Sequence, residues 1–122
     1  MFGTLGRLFG KAPPEPVWVD VAGLRAQLDD TGPNSPGAPL VLDVRGPDEF
    51  DGPLGHIPGA LNIPLPELQA HEAEIVGDGR PIVCVCLTDK RSAAAAAQLA
   101  ARGVGAVSVL RGGMKAWREA GL

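Results

Sequence analysis

The sequence predicts an α/β domain with a mostly parallel central sheet of about five strands flanked by helices, and three observations carry that prediction. Short runs rich in Val, Ile and Leu, such as Leu40 to Val44 and Pro81 to Cys86, read as strands covered on both faces. Stretches with apolar residues one helical turn apart alternate with these runs. Seventeen glycines and twelve prolines in 122 residues ask for many short, sharply turning connections.

Taken in order, residues 1 to 16 read as an N-terminal arm ending in a proline-rich linker from Lys11 to Pro16. Phe2, Leu5, Leu8 and Phe9 fall at roughly helical spacing but are interrupted by Arg7 and glycines, so a signal peptide is not expected. The arm reads either as frayed chain or as a weak membrane or partner contact through Phe2 and Phe9. The domain proper is expected over residues 17 to 122, beginning with a strand at Val17 to Val19. Asp20 then offers its carboxylate to the free N–H groups of a helix carrying Leu24 and Leu28, and the Gly- and Pro-rich stretch from Thr31 to Pro39 ends it. After the strand at Leu40 to Val44, Pro47 opens a short helical turn, Ala60 to Ile63 is a further short strand, and Pro66 opens a helix bearing Leu65, Leu68 and Ile75. The β-branched run from Pro81 to Cys86 is the clearest strand, and Ser92 to Arg102, with five alanines in a row before Gly103, the clearest helix. A last strand at Ala106 to Leu110, a turn at Arg111 to Gly113 and a terminal helix from Met114 to Ala120 with Trp117 complete the chain.

Eleven basic and fourteen acidic residues are interspersed, giving a net charge of −3 and no basic stripe, which argues against nucleic acid as a partner. No run approaches the roughly 20 apolar residues that span a bilayer, so no stable membrane association is expected. Cys84 and Cys86, two apart on one predicted strand, are expected on opposite faces and unable to join, hence as reduced thiols in a cytoplasmic setting. They are too close for zinc-finger spacing and His56 and His71 are not clustered, so no metal is expected.

In such sheets, ligands sit beyond the carboxyl ends of the strands. Cys86 ends the clearest strand and Ser92 opens the clearest helix, so the loop between them must be tight. Backbone N–H groups at a helix start are unpaired and carry the positive end of its dipole, and they favour an anion such as a thiolate. Lys90 and Arg91 add positive charge that Asp89 partly offsets. Cysteines so placed have pKa values lowered to about 3.5–7.5, and the same direction is expected of Cys86. Cys84, mid-strand between Val83 and Val85, reads as core. Asp43 and Arg45 read as a buried carboxylate with its cation, and Arg45 with Glu49 as an ion pair fixing the turn after the strand.

The segment Cys86-Leu87-Thr88-Asp89-Lys90-Arg91-Ser92, between an apolar strand and an alanine-rich helix, resembles the active-site loop of rhodanese domains. Leu42-Asp43-Val44-Arg45 with Glu49 and Phe50 resembles the family's first motif, and Gly55-His56-Ile57-Pro58-Gly59-Ala60-Leu61-Asn62-Ile63-Pro64 is similar to its second. The tail from Gly112-Gly113-Met114 through Trp117 also looks like the family's ending. The resemblance implies a rhodanese-like three-layer fold and a sulfurtransferase working through a Cys86 persulfide, with no cofactor. Its donor would be thiosulfate or another sulfane-sulfur compound and its acceptor cyanide or a thiol. It further implies loop N–H groups that hold the persulfide, Lys90 and Arg91 drawing the anionic donor and steadying departing sulfite, and Thr88 and Ser92 serving either as hydroxyl donors or as plain loop and cap residues. Asp43, Arg45, Glu49 and His56 would support this site structurally.

Two alternatives stand beside this reading. One is a sulfur carrier that loads poorly from free thiosulfate and serves a sulfur-relay protein. The other is a phosphatase or arsenate reductase of the same fold, whose loops resemble this one but hold five residues between Cys and Arg, where this chain has four, Leu87 to Lys90. A rhodanese module without chemistry is set against the presence of Cys86. Many family members carry glycine where this chain has Asp89. The resemblance implies an unusual backbone angle there, which Asp is among the few other residues to tolerate, and a carboxylate that disfavours thiosulfate relative to a thiol or protein persulfide.

Overall fold

In a computed structural model, residues 16–32, 35 and 37–122 are described, so the arm expected over residues 1 to 16 lies, but for Pro16, outside the described residues. Five strands, β1 (Trp18–Val19), β2 (Leu40–Asp43), β3 (Leu61–Asn62), β4 (Ile82–Val85) and β5 (Val107–Leu110), form one sheet in the order β1-β5-β4-β2-β3. Every pairing is parallel, which requires a crossover between successive strands. The crossovers are helical: α1 (Val21–Thr31), the short α2 (Pro47–Phe50), a 3₁₀ turn (Leu65–Glu67) running into α3 (Leu68–Asp78), and α4 (Lys90–Ala101), with α5 (Gly113–Glu119) closing the chain.

The local chemistry explains the boundaries. Asp20 accepts a 2.7 Å hydrogen bond from the Gly23 N–H and so caps α1. Gly103, at φ 98°, takes the left-handed turn after α4, and the Val104 N–H returns to the Leu99 carbonyl at 3.1 Å. That helix starts at Lys90, not at Ser92 as the alanine run suggested, because it is the Asp89 carbonyl that accepts the Ala93 N–H. Lys90 and Arg91 thereby belong to its first turn.

Side chains alternate across the strands and split the core into two layers. Leu40, Leu42, Ile82, Cys84, Cys86 and Val109 meet α3 and α4 on one face. Val41, Val83, Val85 and Leu110 meet α1 and α5 through Leu24, Leu28, Met114 and Trp117 on the other. A fully buried leucine such as Leu42 contributes about 1.5–3 kcal/mol of transfer free energy. Small side chains at Ala95 and Ala96 let α4 lie close to the sheet. Cys84 and Cys86 therefore share one face, contrary to the expectation of opposite faces: a period of two returns residue i+2 to the side of residue i. Both are free thiols. Adjacent same-face positions on one strand stand too far apart for disulfide geometry without backbone movement, so the expected lack of a bond has this different cause.

The connections define the position of the site. From β2 the chain runs outward to β3, whereas from β4 it runs the opposite way to β5. A crevice opens where neighbouring strands send their connections in opposite directions. It lies beyond the carboxyl ends of β2 and β4, where the Val44 N–H donates to the Val85 carbonyl at 2.9 Å. Among the described residues, no helix is long and apolar enough to cross a membrane.

Candidate active site

Cys86 follows β4 directly, at the carboxyl end of the strand, and is only 1% exposed. Its Sγ accepts a hydrogen bond from the Ser92 N–H at 3.3 Å and lies 3.2 Å from Ser92 Oγ. Ser92 Oγ is also 3.2 Å from the Asp89 carbonyl. With one hydroxyl proton, Ser92 can donate to Asp89 while a Cys86 thiol donates to it, or turn that proton to the sulfur once it is a thiolate. Ser92 is wholly buried, so this contact is shielded from water.

The loop is held from beneath by α5. The Met114 N–H donates to the Cys86 carbonyl at 2.9 Å and the Lys115 N–H to the Leu87 carbonyl at 3.1 Å. With these carbonyls taken on one side, the N–H groups of Leu87, Thr88, Asp89, Lys90 and Arg91 donate to no acceptor among the described residues. They form a run of free donors around the start of α4, beside the sulfur. Gly113 makes the approach possible. Its φ is 58°, and a Cβ there would collide with the carbonyl oxygens of Cys86, Leu87 and Thr88. Gly113→Ala is expected to destabilise the fold by about 1–3 kcal/mol through backbone strain and to displace the loop. A lowered urea midpoint together with impaired Cys86 reactivity in the remaining folded protein is the expected result; unchanged values of both would show that α5 does not set the loop.

Asp89 stands at φ −151°, ψ −5°, at negative φ but outside the regular helical and extended regions. The backbone angle is thus uncommon, as expected, but it is not the left-handed one that only glycine and a few other residues adopt readily, and it is the carboxylate that sets Asp89 apart from a glycine. Thr88 and Lys90 are exposed, as is Leu87 at 39%, an apolar side chain on the rim.

Arg91, in the first turn of α4, reaches across to α2. Its guanidinium grips the Glu49 carboxylate through two bonds, Nη1 to Oε1 at 2.8 Å and Nη2 to Oε2 at 2.9 Å. The expected Arg45–Glu49 ion pair is thus replaced by this longer-range one. Arg45 donates from Nη1 to the Glu49 backbone carbonyl instead, at 3.1 Å, because Asp43 beside it claims the rest of its fork. The bond from Arg91, reinforced by the Gly46 N–H and by the charges of Arg91 and Arg45, holds the Glu49 carboxyl down at about 2 against the opposing effect of burial. A carboxyl whose pKa is depressed in the folded state contributes stability above its unfolded value, about 4.5, and that contribution is lost as pH falls toward 2. Both partners are more than a third exposed, so the pair is worth at most about 1 kcal/mol. Urea midpoints of the native chain and Glu49→Gln should differ slightly at pH 7 and converge below pH 4.5; parallel curves across that range would contradict the assignment.

Asp43 and Arg45 form the buried node expected of them. Arg45 Nη2 meets Asp43 Oδ2 at 2.7 Å, Nε meets Oδ1 at 2.9 Å, and each residue is 1% exposed. Nη2 also reaches the Gly55 carbonyl at 2.7 Å. His56 donates from Nδ1 to the Phe50 carbonyl at 2.9 Å and stacks on the Phe50 ring, with centroids 3.7 Å apart, which ties the end of α2 to the turn before β3. Cys84 is fully buried, and desolvation, followed by the neighbouring Cys86, pushes its thiol up to about 12. It has no means of becoming a nucleophile near neutral pH.

Residues 21–120 match the sequence model of the rhodanese-like domain. The chain belongs to that family. Among its relatives, the uncharacterized protein YqhL of Bacillus subtilis is 43% identical over 77 residues, which make up 63% of this chain and 59% of that one. The chain spans only 37–59% of the length of three such relatives, the Bacillus protein among them. A sulfurtransferase of Allochromatium vinosum is 40% identical over 83 residues, covering 68% of this chain and 75% of that one. The crystal structure of a rhodanese-related protein from Thermoplasma volcanium superposes with a TM-score of 0.70 at 29% identity, covering 86% of this chain and 93% of its own. The five-stranded parallel sheet with flanking helices is thus the rhodanese-like fold.

The loop is legible in the sequence, whereas two of its supports are not evident there. Gly113 falls in the turn predicted from Arg111 to Gly113, and the signal that marks it is the glycine pair 112–113 placed just before a helix. The Glu49–Arg91 pair spans 42 positions and has no local signal.

Proposed function

We propose that this rhodanese-like protein is a sulfurtransferase that carries a sulfane sulfur as a persulfide on Cys86. The reading rests on one observation above all: a buried sulfur that already accepts the Ser92 N–H sits in the loop whose N–H groups from Leu87 to Arg91 meet no acceptor among the described residues. Such donors stabilise an anionic outer sulfur and cost no reorganisation when it forms. The named sulfurtransferase among the relatives supports the same chemistry.

In the first half-reaction the Cys86 thiolate attacks the outer sulfur of thiosulfate. The donor's S–S bond breaks, its electron pair leaves with sulfite, and a new S–S bond forms at Cys86. In the second half-reaction cyanide or a thiolate attacks that outer sulfur, the bond to Cys86 Sγ breaks, and the thiolate returns with thiocyanate or a persulfide as product. Charge and electrons balance without a cofactor. Lys90 attracts anionic donors, Ser92 turns its hydroxyl to the sulfur, and the backbone from Leu87 through Thr88 and Asp89 to Arg91 forms the cradle. Phosphate fits less well, since only four residues separate Cys86 from Arg91 and the Arg91 guanidinium is held by Glu49.

A carrier that hands sulfur to a partner protein uses the same persulfide, and the exposed Leu87 on the rim favours it, because a protein surface can cover an apolar side chain and a small anion cannot. Intact-mass measurement after incubation with thiosulfate, an alkyl persulfide or a protein persulfide, followed by addition of cyanide or a thiol, tests both readings. A gain of one sulfur that the acceptor removes is expected. Fast loading from the protein persulfide alone selects the carrier, and no adduct from any donor rules out both.

A further inference from the structure

We propose that Glu49 is a positioning residue that sets donor preference by cancelling the charge of Arg91 at the rim of the Cys86 cradle. The inference rests on the sulfur-transfer reading and names the class of donor it favours: alkyl or protein persulfides over thiosulfate. The observation is the two-pronged grip of Glu49 on Arg91, at 2.8 and 2.9 Å, in the first turn of the helix that cradles the sulfur. Arg45 fixes that grip by holding the Glu49 backbone carbonyl, and the Gly46 N–H holds Oε1 at 3.2 Å. The carboxylate is therefore anchored before any donor arrives.

The consequence is electrostatic. Two cations and one carboxylate on the loop give an excess of one positive charge. Glu49 contributes a second carboxylate and brings the group of Asp89, Lys90, Arg91 and Glu49 to zero. Thiosulfate is a dianion and gains most from a positive rim, whereas a persulfide R–S–SH reacts in an uncharged form. With R–S–SH, the Cys86 thiolate attacks the outer sulfur, the donor's S–S bond breaks, and R–S⁻ leaves with the electron pair while the proton stays on the transferred sulfur. The transfer deposits no dianion at the rim. A neutral rim therefore withholds affinity from thiosulfate and leaves the persulfide untouched.

The test compares thiosulfate with 2-hydroxyethyl persulfide as donors for the native chain, Glu49→Gln and Arg91→Gln, at low and at moderate ionic strength. Glu49→Gln frees one positive charge and is expected to lower the KM for thiosulfate on the order of tenfold at low salt, with kcat and the persulfide KM little changed. Arg91→Gln leaves the carboxylate alone and should raise the thiosulfate KM by a similar factor. Both shifts should shrink as salt screens the rim, which a purely structural role would not do. Should either single variant fail to fold, the uncharged double variant Glu49→Gln/Arg91→Gln keeps the group neutral and is expected to retain the native donor ratio. Losses of the same sign in both single variants, shifts shared equally by the two donors, shifts insensitive to salt, or a changed ratio in the double variant would each overturn the inference. Failure of the native chain to load from either donor would instead overturn the sulfur-transfer reading beneath it.

Discussion

Replacing Cys86 with alanine is expected to abolish sulfur loading and to lower turnover by at least about a thousandfold, as removal of a covalent nucleophile does elsewhere. Cys84→Ala is the matching control. Both thiols are buried on the same face of β4 and its extension, yet their surroundings differ. Cys84 lies mid-strand among apolar side chains, where burial holds its thiol protonated up to about 12. Cys86 lies where the strand has ended and the Ser92 N–H meets its sulfur. The Cys84 variant should keep its mass gain from the donor while losing some stability to the small cavity. Intact-mass spectra after donor treatment decide the point: an adduct surviving in Cys86→Ala, or lost in Cys84→Ala, would move the chemistry to the wrong sulfur for this geometry.

How far the sequence foretold this site depended on the range of each interaction. The loop was legible because strand, turn and alanine-rich helix are successive local signals, and the Cys86-to-Arg91 spacing is counted directly. The Asp43–Arg45 pair was legible for the same reason, being two residues apart at a strand end. The partner of Glu49 was not. Local spacing offered Arg45, but Arg45 is saturated by Asp43, and only the parallel register that sets β2 beside β4 carries Glu49 to Arg91. The helix start was displaced by two residues because Ser92, a good capping residue by type, spends its hydroxyl on Cys86 and Asp89 from inside the first turn. The N–H groups freed by that shift are those of Lys90 and Arg91, so the misplaced boundary lay at the functional end of the helix.

Breaking the Asp43–Arg45 node is expected to cost about 3–5 kcal/mol, the largest stability effect of any single substitution considered. In Arg45→Met the Asp43 carboxylate, 1% exposed, keeps only the Arg45 N–H at 3.0 Å, and the Glu49 and Gly55 carbonyls each lose a donor. The penalty is chiefly that of an uncompensated buried charge. Removing both charges in Asp43→Leu/Arg45→Met should therefore recover part of the loss. Arg45→Lys should fall between the native chain and Arg45→Met, since an ammonium keeps the charge but cannot span Asp43, Glu49 and Gly55 with one rigid fork. Urea unfolding at pH 7 orders the four proteins, and a cost below about 1 kcal/mol for Arg45→Met would show the node to be solvated. The chemistry should follow the fold at one remove. Arg45 anchors α2, α2 presents Glu49, and Glu49 holds the first turn of the helix beside Cys86. Under conditions where Arg45→Met is still folded, its donor preference should therefore drift toward that of Glu49→Gln.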